Sequence, residues 1–283
     1  MSTVPPLDAS AIAPDREHAL LTWLRSNGPV LLGFSGGVDS AYLASVAVEA
    51  LGREGVLAVI GRSASYPAEQ WRMARAVAQQ CGVPVLEVDT RELDDPRYAA
   101  NPADRCYFCK AELWSRLAPL ASERRMLVVD GTNADDLGDW RPGARAATEA
   151  GVRSPLAELG FTKAHVRERS VVRGLPTAHV PSAPCLASRL PYGVPVTPGR
   201  LAEVERAEAA LRARGVTGDL RVRHHGELAR VELSASQIDV WAEPARLTDL
   251  RAAVLGAGFR RVAVDLRGFR SGSLNVLGGI VAG

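Results

Sequence analysis

No apolar run in the sequence approaches the roughly 18 residues that a membrane-crossing helix needs. Residues 1–14 also lack the basic stretch followed by an apolar one that marks a secretory signal. The expectation is a cytoplasmic protein with no membrane partner. A dominant charge is missing as well: 34 Lys and Arg against 32 Asp and Glu leave a net +2. Charge alone therefore argues neither for nor against nucleic acid. Lysine is scarce, so the positive charge is mostly arginine, a side chain suited to carboxylates and phosphates. No internal repeat and no low-complexity segment is present, which excludes solenoid and fibrous architectures. Two nucleotide signatures are absent too. There is no G-x-x-x-x-G-K-[ST], hence no Walker lysine, and no G-x-G-x-x-G dinucleotide fingerprint. Cysteine numbers only four. In a reducing compartment these are not expected to pair as structural disulfides and need another account.

What is present is 283 residues with 47% hydrophobic content, enough to bury one large core or two ordinary ones. The pattern predicts helix over 15–27, strand over 30–34, helix over 39–51, strand over 56–60, helix over 68–81, strand over 83–88, helix over 111–121 and strand over 126–129. Strands alternating with helices of this length imply parallel βαβ units, covered on both faces and hence continuously apolar. After about residue 190 the text changes. Pro191, Pro195 and Pro198 punctuate an expected linker. A helix over 199–214, strands over 220–224 and 228–233, a helix over 244–255 and a strand over 261–266 then read as a small α+β domain. The expected division is residues 1–190 and 191–283.

The most informative segment runs from Leu31 through Gly33-Phe34-Ser35-Gly36-Gly37-Val38-Asp39-Ser40. A strand enters a Ser/Gly turn and passes directly into a helix. Gly36 and Gly37 allow close backbone approach to an anion. The helix start offers free N–H groups and partial positive charge, and Ser35 and Ser40 add hydroxyls. This is a phosphate cradle at the carboxyl end of a strand, where open α/β sheets bind ligands. The string resembles the SGGxDS loop of PP-loop ATP pyrophosphatases. That resemblance implies cleavage of ATP between the α and β phosphates, with Asp39 helping to hold the accompanying Mg2+. Gly131-Thr132-Asn133 after the strand at 126–129 is similar to the GTN segment that touches nucleotide in these enzymes.

Cys106 and Cys109 form a C-x-x-C, and Cys185 lies far downstream. A C-x-x-C alone suits redox chemistry, zinc or a cluster. Zinc in a closed site wants four ligands. Cys81, which ends an apolar helix, reads as a buried small hydrophobe rather than the fourth. Three thiolates could hold a 4Fe–4S cluster with one iron open.

From Phe34 onward the chain resembles the LarE sulfur-transferase family of the PP-loop superfamily. The residues that carry this are 35–40, Asn101 to Cys109, Asp130 to Asp139, Arg141-Pro142-Gly143, Gly151 to Leu156, Cys185 to Arg189, and Asp265 to Ser273. The resemblance implies an α/β fold: a PP-loop (HUP-like) parallel-sheet domain with a smaller C-terminal α+β domain. It also implies ATP-dependent adenylation of a carboxylate of pyridinium-3,5-biscarboxylic acid mononucleotide, followed by sulfur insertion, in the making of a nickel-pincer cofactor. In many members the cysteine at the position of Cys185 surrenders its own sulfur. Members with three cysteines are thought to hold a 4Fe–4S cluster that relays sulfide, and Cys106, Cys109 and Cys185 match that group. Arg221 and Arg223, alternate on one strand and so facing one way, together with Arg270, resemble the family's phosphate clamp. Arg189 is a further candidate to face the site. Family members are hexamers, so a homo-oligomer is implied. Two other readings stand beside this one: a PP-loop tRNA thiolase, disfavoured by the small net charge, and a nucleotide sensor that binds ATP without releasing pyrophosphate.

Overall fold

The structure, a computed structural model, describes residues 13–138, 142–181 and 184–270. Its elements in chain order are α1 (Ala13–Asn27), β1 (Val30–Gly33), α2 (Val38–Leu51), β2 (Val56–Arg62), α3 (Ala68–Gln80), β3 (Val85–Asp89), α4 (Pro96–Ala99), α5 (Arg105–Arg124) and β4 (Leu127–Val129). Then come α6 (Pro142–Glu149), α7 (Pro155–Glu158), α8 (Lys163–Val172), α9 (Pro198–Ala213), β5 (Leu220–His225), β6 (Leu228–Leu233), α10 (Ala235–Ala242), α11 (Pro244–Gly256) and β7 (Arg261–Val264). They form two compact units. The first comprises residues 1–63, 68–91 and 106–183; the second comprises 64–67, 92–105 and 184–283.

The first unit holds a four-stranded parallel sheet in the order β3-β2-β1-β4. Val30, Leu31 and Leu32 of β1 are fully buried, as a central parallel strand covered on both faces must be. On one face Leu31 and Val59 pack with Trp114, Leu117 and Ala121 of α5 and with Ala146 and Ala147 of α6. The chain runs outward from β1 to β3 and then returns to β4 on the other side of β1. The direction of winding therefore reverses between β1 and β4, and the loops leaving their carboxyl ends flank a crevice where such sheets bind ligands. Helix α5 begins earlier than the sequence pattern suggests. Arg-Cys-Tyr-Phe-Cys has few strong helix formers, yet it makes the first turn.

The second unit is built on a three-stranded sheet, β5-β6-β7. Strands β5 and β6 form an antiparallel hairpin turned at Gly226 (φ 68°), and β7 lies parallel to β6. Register places Leu220, Val222 and His224 opposite Leu233, Val231 and Ala229, which gives one buried, mainly apolar face. The other face carries Arg221 opposite Glu232 and Arg223 opposite Arg230. The proline-punctuated stretch expected to be a linker is strapped down. Asn101 Nδ2 donates to the carbonyls of Pro191 (2.7 Å) and Val194 (2.8 Å). Gly193 N–H and Val196 N–H donate to the carbonyls of Asn101 and Ala99. Fully buried Asn101, at φ 57°, is what fixes it. Among the described residues no helix is long and apolar enough to cross a membrane.

Candidate active site

The Ser35–Ser40 loop joins β1 to α2 as expected. Gly36 sits at φ 70°, and a Cβ there would lie 2.5 Å from Cα and Cβ of Ala74 on α3. Both the dihedral and the space therefore require glycine. Gly37 is the N-cap of α2 at φ −74°, ψ 167°, and no side chain caps the helix. Its first-turn N–H groups are thus left to an anion. The hydroxyls of Ser35 and Ser40 lie 3.3 Å apart, and Ser40 Oγ donates to Gly37 O at 3.1 Å.

The loop after β4 closes on this cradle. Gly131 packs so tightly on the start of α2 that a Cβ would lie 2.9 Å from Ser40 N. Asp130 shapes the loop: its carboxylate accepts from Thr132 N (3.0 Å), Thr132 Oγ1 (2.9 Å) and Ser154 Oγ (2.7 Å). The Gly151 to Leu156 motif is explained by this contact and by the bridge of Arg153 to Val129. Asn133, fully buried, donates to Asp39 Oδ1 at 3.1 Å. The other oxygen of Asp39 is paired with Lys163 Nζ, at the start of α8. Asp39, Gly131 and Lys163 thus come from three separate elements. Sequence reasoning missed Lys163. The available signal was scarcity: it is one of two lysines in the chain. Asp39 engages a cation here and is an oxygen ligand of the kind Mg2+ takes, so this corner fits the metal that accompanies ATP.

Cys106 and Cys109 lie on the first turn of α5, exposed and half-buried respectively, and neither is in a disulfide. Gly143 of α6 packs beside them, where a Cβ would be 2.9 Å from Lys110 Cγ and 3.5 Å from Cys106 O. Cys81 is half-buried with Sγ 3.8 Å from Ala41 O, and burial pushes its thiol up to about 11, against a smaller opposing effect of Arg173. Cys185 is free and half-buried in the second unit. Among the described residues no group of three or more His, Cys, Asp or Glu is assembled that could hold a metal ion. Cys106 and Cys109 are thus near neighbours at the start of α5, while Cys185 belongs to the second unit.

In that second unit the Cys185 turn is built against the arginine strand. The carbonyl of Ser188 accepts from Arg223 Nη1 at 3.0 Å, and Arg223 is in turn paired with buried Glu232 through Nε (2.9 Å) and Nη2 (2.8 Å). Arg221 and Arg223 are only 8% and 6% exposed, so they are not solvated surface arginines. Burial first, then the charges of Arg189 and Arg223, push the Arg221 guanidinium down to about 10, with Glu208 and Asp219 opposing. It remains charged at neutral pH, in a region that an anion would stabilise. Phe269 lies against it, 5.0 Å from ring centroid to guanidinium carbon. The turn before Phe269 is fixed by Asp265, which accepts from Arg267 N, and by Gly268 at φ 72°. Arg270 is exposed. Asp139, Arg141 and Ser271 to Ser273, expected to belong to the motifs, lie outside the described residues.

The profile of the NAD synthase family matches residues 22–117, a span that holds the cradle but ends before Asn133, Lys163 and Cys185. The uncharacterized protein slr1717 of Synechocystis sp. is 45% identical over 87% of this chain and 91% of its own length. The pyridinium-3,5-bisthiocarboxylic acid mononucleotide synthase of Lactiplantibacillus plantarum is 34% identical over 92% of this chain and 94% of its own. An uncharacterized protein of Methanocaldococcus jannaschii, MJ0830, is 27% identical over 87% and 92%. With its PP-loop cradle in place and a full-length relative of that kind, the chain belongs to the LarE family of sulfur transferases and is an ATP-dependent enzyme.

Proposed function

We propose that this enzyme adenylates a carboxylate of pyridinium-3,5-biscarboxylic acid mononucleotide and converts it to a thiocarboxylate. The observation that carries this reading is the bonding of the Cys185 turn to the arginine strand within one unit. A sulfur-bearing residue and a phosphate-binding surface are thereby held in fixed relation.

The carboxylate oxygen attacks the α-phosphorus of ATP, and the bond to pyrophosphate breaks. Gly36, Gly37 and Ser40 cradle the departing pyrophosphate; Asp39 would hold the Mg2+ that comes with ATP, and Lys163 adds positive charge beside it. The acyl adenylate then has AMP as leaving group, where the free carboxylate had only oxide. A sulfur nucleophile adds to the carbonyl carbon, and AMP departs with one substrate oxygen. Arg221 and Arg223, with Arg270, bind the substrate phosphate by charge-assisted hydrogen bonds.

Sulfur has two routes. In one, Cys185 adds as thiolate, loses its Cα proton and releases the product by cleavage at Cβ, leaving dehydroalanine. In the other, Cys106, Cys109 and Cys185 would hold a 4Fe–4S cluster, which when bound would supply a carrier for sulfide. The pair on one turn of α5 supports the second route, and four cysteines outside any disulfide support a reducing, cytoplasmic setting. A homo-oligomer, hexameric as in the family, belongs to the same reading. In this reading the first compact unit carries the ATP chemistry and the second, whose C-terminal part begins at 184 rather than at the expected 191, holds the substrate.

The test is turnover with ATP, the mononucleotide and sulfide under anaerobic conditions. Pyrophosphate and thiocarboxylate should form together, and Cys185 should keep its mass over several cycles. One turnover with loss of about one H2S from Cys185 would select the sacrificial route. Pyrophosphate release that depends on tRNA instead would overturn the substrate.

A further inference from the structure

We propose that Glu208 is a positioning residue that locks the Cys185 turn to the arginine strand, and that Arg189 serves this lock rather than binding substrate phosphate. The proposal rests on the sulfur-transfer reading above.

Glu208 projects from α9, and its carboxylate accepts three hydrogen bonds from two residues. Oε1 accepts from Arg189 Nε at 3.0 Å and from Val222 N at 2.9 Å; Oε2 accepts from Arg189 Nη2 at 2.9 Å. Val222 is the residue between Arg221 and Arg223. One carboxylate thus grips the arginine strand by its backbone and Arg189 by a two-pronged contact. Arg189 extends the grip into the turn. Its Nη1 donates to Pro184 O (2.6 Å) and Cys185 O (3.1 Å) and lies 3.1 Å from Ser188 Oγ. Ser188 Oγ donates to Cys185 O at 2.7 Å. The far end of the turn is held by Arg223 through Ser188 O, as above. Every nitrogen of the Arg189 guanidinium has an acceptor, and the residue is 3% exposed. Two of its nitrogens are taken by Glu208 and the third by the carbonyls of the Cys185 turn, a bracing role that departs from the expectation that it faces the site.

The arrangement matters because a sulfur step is sensitive to placement; an error near 1 Å costs about a hundredfold in rate. Cys185 caps a single 3-10 turn, Leu186–Arg189, whose own backbone bonds (Ser188 N–H to Cys185 O, Leu190 N–H to Ala187 O) are too few to fix its orientation on the strand. The Glu208 lock fixes that short turn to the arginine strand. Glu208 also offsets part of the positive charge around Arg221, which gives two separable effects. Removing its charge should loosen the thiol but leave Arg221 more strongly attracted to phosphate. A merely structural loss would weaken both.

Glu208→Gln keeps an oxygen to accept from Val222 N–H and loses the charge. Expected results are pyrophosphate release within about twofold of wild type, mononucleotide affinity equal or tighter, and thiocarboxylate formation lower by roughly tenfold or more. Alkylation of Cys185 by iodoacetamide, followed by peptide mass in the substrate-free protein, should be severalfold faster. Ser188→Ala, which removes one bond to the Cys185 carbonyl, should move the last two quantities in the same direction by less. It also decides the matter if Glu208→Gln does not fold. An unchanged ratio of thiocarboxylate to pyrophosphate with unchanged alkylation in the folded variants overturns the proposal, as does loss of mononucleotide affinity in step with sulfur transfer. A wild-type enzyme that makes no thiocarboxylate, while alkylation still responds to Glu208→Gln, would instead sink the functional reading and leave the lock standing.

Discussion

Under the proposed function, the two units bind anions by different means. In the first, the cradle is backbone: two glycines, one at a left-handed dihedral, and the open end of α2. In the second, the binding surface is side chain: buried arginines on β5, arranged by Glu208 and Glu232. A backbone cradle tolerates almost no substitution, because any Cβ fills the space meant for phosphate or collides with a neighbour. A side-chain surface is graded, because each guanidinium contributes separately and its neighbours partly offset a loss.

Gly36→Val tests the first half of that contrast and should have the largest effect. The new side chain meets Ala74 at 2.5 Å and must adopt φ 70°, so the loop cannot keep its shape. Pyrophosphate release should fall below detection while circular dichroism stays near wild type. Substantial residual activity would mean that phosphate is bound elsewhere. Lys163→Met comes next. It removes the cation beside Asp39 without altering the loop, and pyrophosphate formation should drop by about two orders of magnitude, the scale for losing one charge-stabilising group. A change below twofold would reduce Lys163 to a surface ion pair.

How much of this the sequence shows follows from the same contrast. Gly36, Gly37 and Asp39 are legible because backbone geometry forces residue types at fixed spacing. Lys163 is not, because it reaches Asp39 from 124 residues away and only the fold brings it in. Arg221 and Arg223 are legible as an alternating pair on a strand. Their burial, and the use of Arg189 as a brace, are not, because both depend on Glu208 and the Cys185 turn arriving from other elements. The early start of α5 was hidden by weak helix formers, and the tethering of residues 191–196 by a single buried asparagine.

A third change probes what holds the first unit together. Glu17 of α1 accepts from Tyr42 of α2 (2.8 Å) and from Arg169 and Arg173 at the end of α8 (2.9 and 2.8 Å). Burial alone would raise its carboxyl, but these hydrogen bonds outweigh burial and hold it at about 2, against 4.5 unperturbed. A depressed carboxyl stabilises the fold fully above its unfolded value and loses that contribution as pH falls toward the folded one. The window is therefore about pH 4.5 to 2. Glu17→Gln should be less stable at pH 7 by on the order of 3 kcal/mol, and urea unfolding midpoints of the two proteins should converge on acidification. Parallel curves down to pH 2 would show that the network does not depend on the charge.

The second unit should respond more gently. Arg221→Ala and Arg223→Ala each remove charge-assisted contacts of roughly 1.5–3 kcal/mol, so mononucleotide affinity should fall tenfold or somewhat more while ATP affinity is unchanged. Of the two, Arg223→Ala should also disturb sulfur transfer, because it bonds Ser188 O and leaves Glu232 buried with one arginine fewer. Equal effects of both variants on every step would break the distinction between clamp and brace.

The smallest effect should come from Cys81, the thiol outside the proposed chemistry. It ends the turn after α3 and touches Ala41 O. Burial pushes it up to about 11, so at pH 8 only about one molecule in a thousand carries the thiolate that reacts. In competition with Cys106, Cys109 and Cys185, it should be the slowest of the four to be alkylated by iodoacetamide. Cys81→Ala removes a small, half-buried group with no ionic partner to strand, and sulfur transfer should stay within about twofold of wild type. The same replacement at Cys106, Cys109 or Cys185 should cost sulfur transfer while sparing pyrophosphate release. Loss at Cys185 alone would assign the sulfur to that residue and leave Cys106 and Cys109 without a part in it. Loss at all three, together with iron, would assign it to a cluster. A fall at Cys81 comparable to the others would overturn both routes, because a thiol this far from ionisation at pH 8 takes no part in either.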